Sequence, residues 1–187
     1  WNTTSGQLIH TCEGHSASIA SVAFTPDGKG FATGGIDGSC RLWNVETGKT
    51  TLVIKDPEAR FLRLSFAPDG KSLLTSGPGA KPVIWDCLDG KKLLSLQIDP
   101  EQITSARFFP HGSFAAVSTR ANRIHLCELL NGLSFNVIRQ NAGEIADLSF
   151  SPDGSKLITT NLDNICRVHR VPLGWSILVF DQNGLPS

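Results

Sequence analysis

The sequence carries no excess charge of either sign: 17 Lys and Arg stand against 17 Asp and Glu, for a formal net charge of zero. Without a one-signed field the chain has no general means of holding nucleic acid or an anionic membrane by charge, so no polyanionic partner is implied. Long hydrophobic runs are missing too. Nothing approaches the roughly 20 apolar residues that cross a bilayer, and the longest stretch, Ile177-Leu178-Val179-Phe180, is strand-sized. No leader or anchor is read, and no membrane partner is expected. Close cysteine pairs are absent: Cys12, Cys40, Cys87, Cys127 and Cys166 stand singly. That argues against a disulfide framework or a paired-cysteine zinc site and for a reducing compartment, cytoplasmic or else nuclear. Methionine is absent altogether, and a chain that begins at Trp1 is expected to be processed or cut from something longer. Charged residues at 18% and hydrophobic residues at 40% leave an ordinary globular chain, neither a disordered tail nor a coiled coil.

What is present is a repeat. Phe24-Thr25-Pro26-Asp27-Gly28 recurs as Phe66-Ala67-Pro68-Asp69-Gly70, Phe108-Phe109-Pro110-His111-Gly112 and Phe150-Ser151-Pro152-Asp153-Gly154, at a spacing of 42 each time. A second anchor follows each: Trp43 with Gly48, Trp85 with Gly90, Cys127 with Gly132 and His169 with Gly174, and Trp1 with Gly6 stands ahead of them all. Within a unit the hydrophobic period is two, which is the strand signal. Ile19, Phe61, Ile103 and Ile145 open the first strand, and Phe24, Phe66, Phe108 and Phe150 close it. Pro-Asp-Gly then supplies a tight turn, with Pro presetting φ and Gly accepting φ > 0. Second strands are expected at 31–33, 73–75, 114–117 and 157–160, a third at 40–45 and its equivalents, and fourth strands at 51–54, 93–96, 135–138 and 177–180. The expectation is an all-β chain of four-stranded antiparallel meanders.

The unit resembles the WD40 repeat. Gly14-His15, Ser21-Val22-Ala23-Phe24-Thr25-Pro26-Asp27-Gly28, Thr33-Gly34-Gly35-Ile36-Asp37-Gly38 and Arg41-Leu42-Trp43-Asn44 follow that family's pattern through a whole unit, and the likeness extends from Trp1 to about Phe180. Periods of about 40–45 residues with four strands per blade agree with it. The resemblance implies a β-propeller, in which blades pack face to face around a channel. The chain then reads as one propeller segment, with complete blades at about 17–55, 59–97, 102–139 and 144–180. Residues 1–13 hold the outer strand of a preceding blade, Leu8 to Cys12. Because such rings usually have seven blades, further blades from the parent chain or self-association are expected, and an unpaired blade face would be a broad apolar patch.

The resemblance also implies a polar quartet that pins each blade: His15, Thr33, Asp37 and Trp43 in the first. The indole N–H can donate to Thr, Thr to one imidazole nitrogen, and the other imidazole N–H to Asp. The second unit has Pro57, Thr75, Gly79 and Trp85, the third Asp99, Val117, Ala121 and Cys127, and the fourth Asn141, Thr159, Asp163 and His169, which can still form a shorter Thr–His–Asp network. A nucleophilic triad is disfavoured because the family uses these groups structurally. Zinc lacks a four-ligand set, and the glycine pairs precede strands, not the helix of a phosphate loop. No metal, no cofactor and no catalysis are expected.

Surface recognition remains. Ser18, Arg60, Gln102 and Glu144 stand just before the first strands, and Ile36, Pro78, Arg120 and Leu162 in the turns before the third, with Lys81 close by. These loops open on the top face, and they vary while the framework repeats. Ser18, Arg60, Gln102, Glu144, Lys81 and Arg120 are the candidate protein-binding residues of a non-catalytic scaffold for a protein or peptide partner. The alternatives are a regulatory or sensor propeller appended to an enzyme in the parent chain and, more weakly, an RNA- or ribonucleoprotein-associated propeller.

Overall fold

In the computed structural model, which describes residues 1–57, 61–77, 79–98, 103–140 and 143–171, every unit folds as its period-two pattern requires. Blade 1 is β1 (Ile19–Phe24), β2 (Gly30–Gly35), β3 (Ser39–Asn44) and β4 (Thr50–Lys55). Blade 2 is β5 (Arg63–Phe66), β6 (Ser72–Gly77), β7 (Ala80–Asp86) and β8 (Lys92–Ser95). Blade 3 follows with β9 (Ile103–Phe108), β10 (Phe114–Thr119), β11 (Arg123–Glu128) and β12 (Ser134–Arg139), and blade 4 with β13 (Ile145–Phe150), β14 (Lys156–Asn161) and β15 (Cys166–Arg170). Each sheet is an antiparallel meander in chain order, with four strands in blades 1 to 3 and three among the described residues of blade 4. The fourth strand expected at Ile177–Phe180 lies outside the described residues.

The Pro-Asp-Gly turns close by their own chemistry. Asp27, Asp69 and Asp153 each accept the N–H two residues on, from Lys29 at 3.0 Å, Lys71 at 2.9 Å and Ser155 at 3.1 Å. The glycines that follow the aspartates take φ near +70° (Gly28 70°, Gly70 71°, Gly154 70°), which other residues reach only at a cost.

Alternate residues of each blade pack on the next. Ala32, Cys40, Leu42 and Ile54 of blade 1 share a core with Phe61, Leu64, Leu73 and Trp85 of blade 2. One period on, Leu74, Ile84 and Leu96 meet Ile103, Ala106 and Ala115; another period on, Ala116, Ile124 and Leu126 meet Ile145, Leu148 and Leu157. Each buried aliphatic side chain contributes about 1.5–3 kcal/mol. Gly34 lets blades 1 and 2 approach, since a Cβ there would run into the carbonyl of Phe61. The inner strands follow one another in contact, β1 to β5, β5 to β9 and β9 to β13.

Leu8–Cys12 joins no sheet among the described residues, yet it stands where a fourth strand would. His10 packs on Gly48 as Leu52 packs on Gly90 and Leu94 on Gly132, each pair one period further along the chain. The His10 Nε2 also lies 2.7 Å from the Glu46 carbonyl oxygen.

Candidate interaction site

Because strand direction alternates, the loops before the first and third strands of every blade open at the same end. Ile36 N–H donates to the Ser18 carbonyl at 2.9 Å, and three units later Leu162 N–H donates to Glu144 at 2.8 Å. The two variable loops of a blade are thus tied backbone to backbone. Arg120 of blade 3 and Glu144 of blade 4 form an ion pair across the blade boundary, Nε to Oε1 at 2.9 Å. Lys81 instead donates to Gln97 Oε1 of its own blade at 2.9 Å, and Ser18 is exposed. Arg60, Gln102 and Pro78 lie outside the described residues.

Below this face the blade 1 quartet is assembled. Trp43 Nε1–H donates to Thr33 Oγ1 at 2.8 Å, Thr33 Oγ1 lies 2.8 Å from His15 Nε2, and His15 Nδ1 lies 3.0 Å from Asp37 Oδ2. Since the threonine oxygen already accepts from the indole, its proton points to Nε2, which leaves the imidazole proton on Nδ1, facing the carboxylate. Asp37 also accepts from Ser16 N–H (2.9 Å), Ser39 N–H (3.0 Å) and Ser39 Oγ–H (2.8 Å). Burial pushes its carboxyl up, but these donors and His15 outweigh it and hold Asp37 well below the ordinary carboxylate range. Blade 2 keeps only Trp85 Nε1–H donating to Thr75 at 2.7 Å. In blade 3 Val117 and Cys127 are fully buried, while Asp99 lies outside the described residues.

Blade 4 corrects an expectation. Asp163 does not join Thr159 and His169: it pairs with Arg167, four residues on, at 2.8 Å. Gln140 takes the histidine station instead. Its Nε2 donates to Thr159 Oγ1 at 3.0 Å and to His169 Nε2 at 2.8 Å, and its Oε1 accepts from Asn161 Nδ2 at 3.0 Å. The repeat register pointed to Asn141, outside the described residues, so a functional equivalent one residue off the period left no signal. The ion pair won because Arg167 satisfies the aspartate at the rim, where water also helps, without burying a charge.

A polar cluster on the inner strands was likewise not read from the sequence. Ser105 Oγ–H and Arg107 Nη2–H both donate to Asp147 Oδ1, the latter at 3.1 Å, and Arg63 Nε–H donates to the Thr104 carbonyl at 3.1 Å. Arg63, Ser105 and Asp147 occupy one repeat position, so a period search aimed at similarity passes over them.

The described residues gather no group of three or more His, Cys, Asp or Glu. Burial, with Cys87 nearby, pushes the Cys40 thiol up to about 12, and burial does the same to Cys127, so both stay protonated and poor as nucleophiles. Two grooves at the opposite end of the blades, of about 420 and 260 Å³, are one feature repeated: Asp69 and Phe108 line the first as Asp27 and Phe66 line the second.

Comparison with known proteins falls on the same units. A model of the family described as WD domain, G-beta repeat matches residues 6–44 and 134–170, which end in the third strands of blades 1 and 4. These two stretches are WD40 repeats. The matched stretches include the two units whose polar networks exceed a single Thr–Trp bond. Among curated relatives, the chain is 47% identical over 45 residues to the Denticleless protein homolog of Homo sapiens and 44% over 45 residues to that of Mus musculus. It is 43% identical over 44 residues to the Periodic tryptophan protein 2 homolog of Dictyostelium discoideum. These matches cover 24% of this chain and 5 or 6% of the relatives. WD40 domains generally act as protein-interaction scaffolds and are generally non-catalytic, and the repeats give this chain that coarse role.

Proposed function

We propose that the chain is a non-catalytic scaffold that binds a protein or peptide on the face opened by the loops before the first and third strands, with Ser18, Lys81, Arg120 and Glu144 among the contacts. The observation that carries this is the Arg120–Glu144 pair, which spans two blades at positions that vary while the framework around them repeats. An exposed ion pair contributes little to stability, about 0–1 kcal/mol, so recognition gives these side chains a use that folding does not. Zero net charge supports a protein over a polyanion. Five free cysteines support a reducing compartment, cytoplasm or nucleus.

The test is affinity capture with the wild type, Arg120→Glu, Glu144→Arg and the double exchange. All three variants should recover several-fold less of the wild-type partner, although the double exchange restores the ion pair and the wild-type melting temperature. Unchanged recovery by the double exchange refutes the loop-face site. A recovery that falls steeply with salt reassigns the partner to nucleic acid.

A further inference from the structure

The residue before the proline of each first turn differs in all four units: Thr25, Ala67, Phe109 and Ser151. Thr25 and Ser151 serve their own turns. The Thr25 hydroxyl donates to Asp27 Oδ1 at 2.6 Å and accepts from Gly30 N–H at 2.9 Å, and Ser151 Oγ donates to Asp153 and accepts from Lys156 N–H in the same way. Phe109 has a different use: it is 4% exposed and fills the gap between blades 3 and 4. Its ring stacks on Phe114 with centroids 4.1 Å apart and meets Phe150 and His111 edge-on, both at 5.3 Å. It also packs on Gly154, where a Cβ would come within 2.6 Å of the ring.

One period earlier, between blades 2 and 3, the same pocket has no ring of its own. Ala67 takes the place of Phe109, and Ser72, Phe108, Asp69 and Gly112 take the places of Phe114, Phe150, His111 and Gly154. All five line the groove of about 420 Å³, a volume within the roughly 300–1,000 Å³ of ligand pockets. A Cβ on Gly112 would meet nothing nearer than Pro68, at 3.8 Å. Both blades have their four strands among the described residues, so the groove is formed wholly within the chain. Its rim is apolar where blade 1 is polar. Leu93 and Leu130 line it at 54% and 87% exposure, and the same positions in blade 1 are Thr51 and Glu46. Exposed apolar side chains gathered around a groove mark a binding surface. The lining holds one carboxylate, Asp69, and neither Lys nor Arg, which favours a cation on the side of the ligand.

We propose that this groove takes a phenylalanine side chain of a partner peptide, seated over Ala67 as Phe109 is seated in the next groove, with Leu93 and Leu130 beside it and Asp69 facing an adjacent basic residue. The chain's own Phe109 shows the fit, since a benzyl group at this station is held between two rings and a glycine. The counterpart between blades 1 and 2 is smaller, about 260 Å³, and has Thr25, Lys29 and Thr51 in its lining, so an aromatic ring prefers the groove between blades 2 and 3. The site lies at the end of the blades opposite the variable loops, and it stands or falls independently of the surface proposed there.

Titration with the peptide acetyl-Leu-Phe-Arg-Gly-amide, followed by amide chemical shifts in NMR, tests this. Shifts should gather at Ala67, Ser72, Gly112 and Leu130. Exchanging the peptide's Phe for Ala should weaken binding about tenfold or more, as loss of a pocketed aromatic anchor does, and exchanging its Arg for Gln about two- to fivefold. Ala67→Phe, which supplies the ring that Phe109 supplies next door, should abolish binding and hold or raise the melting temperature. Leu130→Ser, at an exposed position, should weaken binding several-fold without touching the fold. Asp69→Asn, which can still accept the Lys71 N–H of its turn, should erase the preference for Arg. No shifts, shifts away from these residues, equal binding of the Phe and Ala peptides, or binding that survives in Ala67→Phe overturns the proposal. Self-association in sedimentation that Ala67→Phe removes would give the groove to a second copy and overturn it equally.

Discussion

Asp37→Ala removes an acceptor on which four donors converge: Ser16 N–H, Ser39 N–H, Ser39 Oγ–H and His15 Nδ1–H. Ser16 is exposed and can turn to water, but Ser39 is 2% exposed and the His15 side chain 4%. Two or three donors are left buried without an acceptor, at about 1–3 kcal/mol each, so a loss of about 3–5 kcal/mol is expected. For a chain of this size about 2–4 °C follows from each kcal/mol, which puts the fall in melting temperature at roughly 6–20 °C by calorimetry. Ala121, at the same repeat position in blade 3, is exposed and has no such network, and Ala121→Ser should stay within about 0.5 kcal/mol of the wild type. The carboxyl also gives the effect a pH signature. Its folded value lies below the ordinary 3.8, so its stabilisation is fully present above that pH and is lost as the pH falls through the folded value. The gap between wild type and Asp37→Ala should narrow in acid. Equal melting shifts for Asp37→Ala and Ala121→Ser would refute the reasoning.

Two further perturbations separate burial from sequence identity. Leu148→Ala should cost about 2–5 kcal/mol in denaturant titration, because Leu148 is 2% exposed. Val22→Ala, at the same repeat position but 63% exposed, should cost within about 0.5 kcal/mol under monomeric conditions. His169 is held below its ordinary value of 6.5 by burial and then by Arg167. Its contribution is therefore constant above about pH 6.5 and is lost as the pH falls toward the lowered folded value, and a slope of stability on pH over that window should be smaller in His169→Asn.

The 42-residue period and its two-residue alternation were enough to place the meanders, since strand faces and turn chemistry are local properties of the chain. The blade 1 quartet was legible for the same reason: His15, Thr33, Asp37 and Trp43 each sit at a fixed offset from a turn or strand end. Gln140 was not, because it substitutes in space, one residue off the register, for a side chain the repeat assigns elsewhere. Nor was the Arg120–Glu144 pair, whose members belong to different blades and meet only when those blades pack.

The sequence by itself determined strands, turns and the repeat, because these depend on residues close along the chain. Tertiary structure decided which copies of a repeated position are buried. Val22 and Leu148 are equivalent in sequence, and Leu148 is core because blade 3 packs on it through Ala116, Ile124 and Leu126.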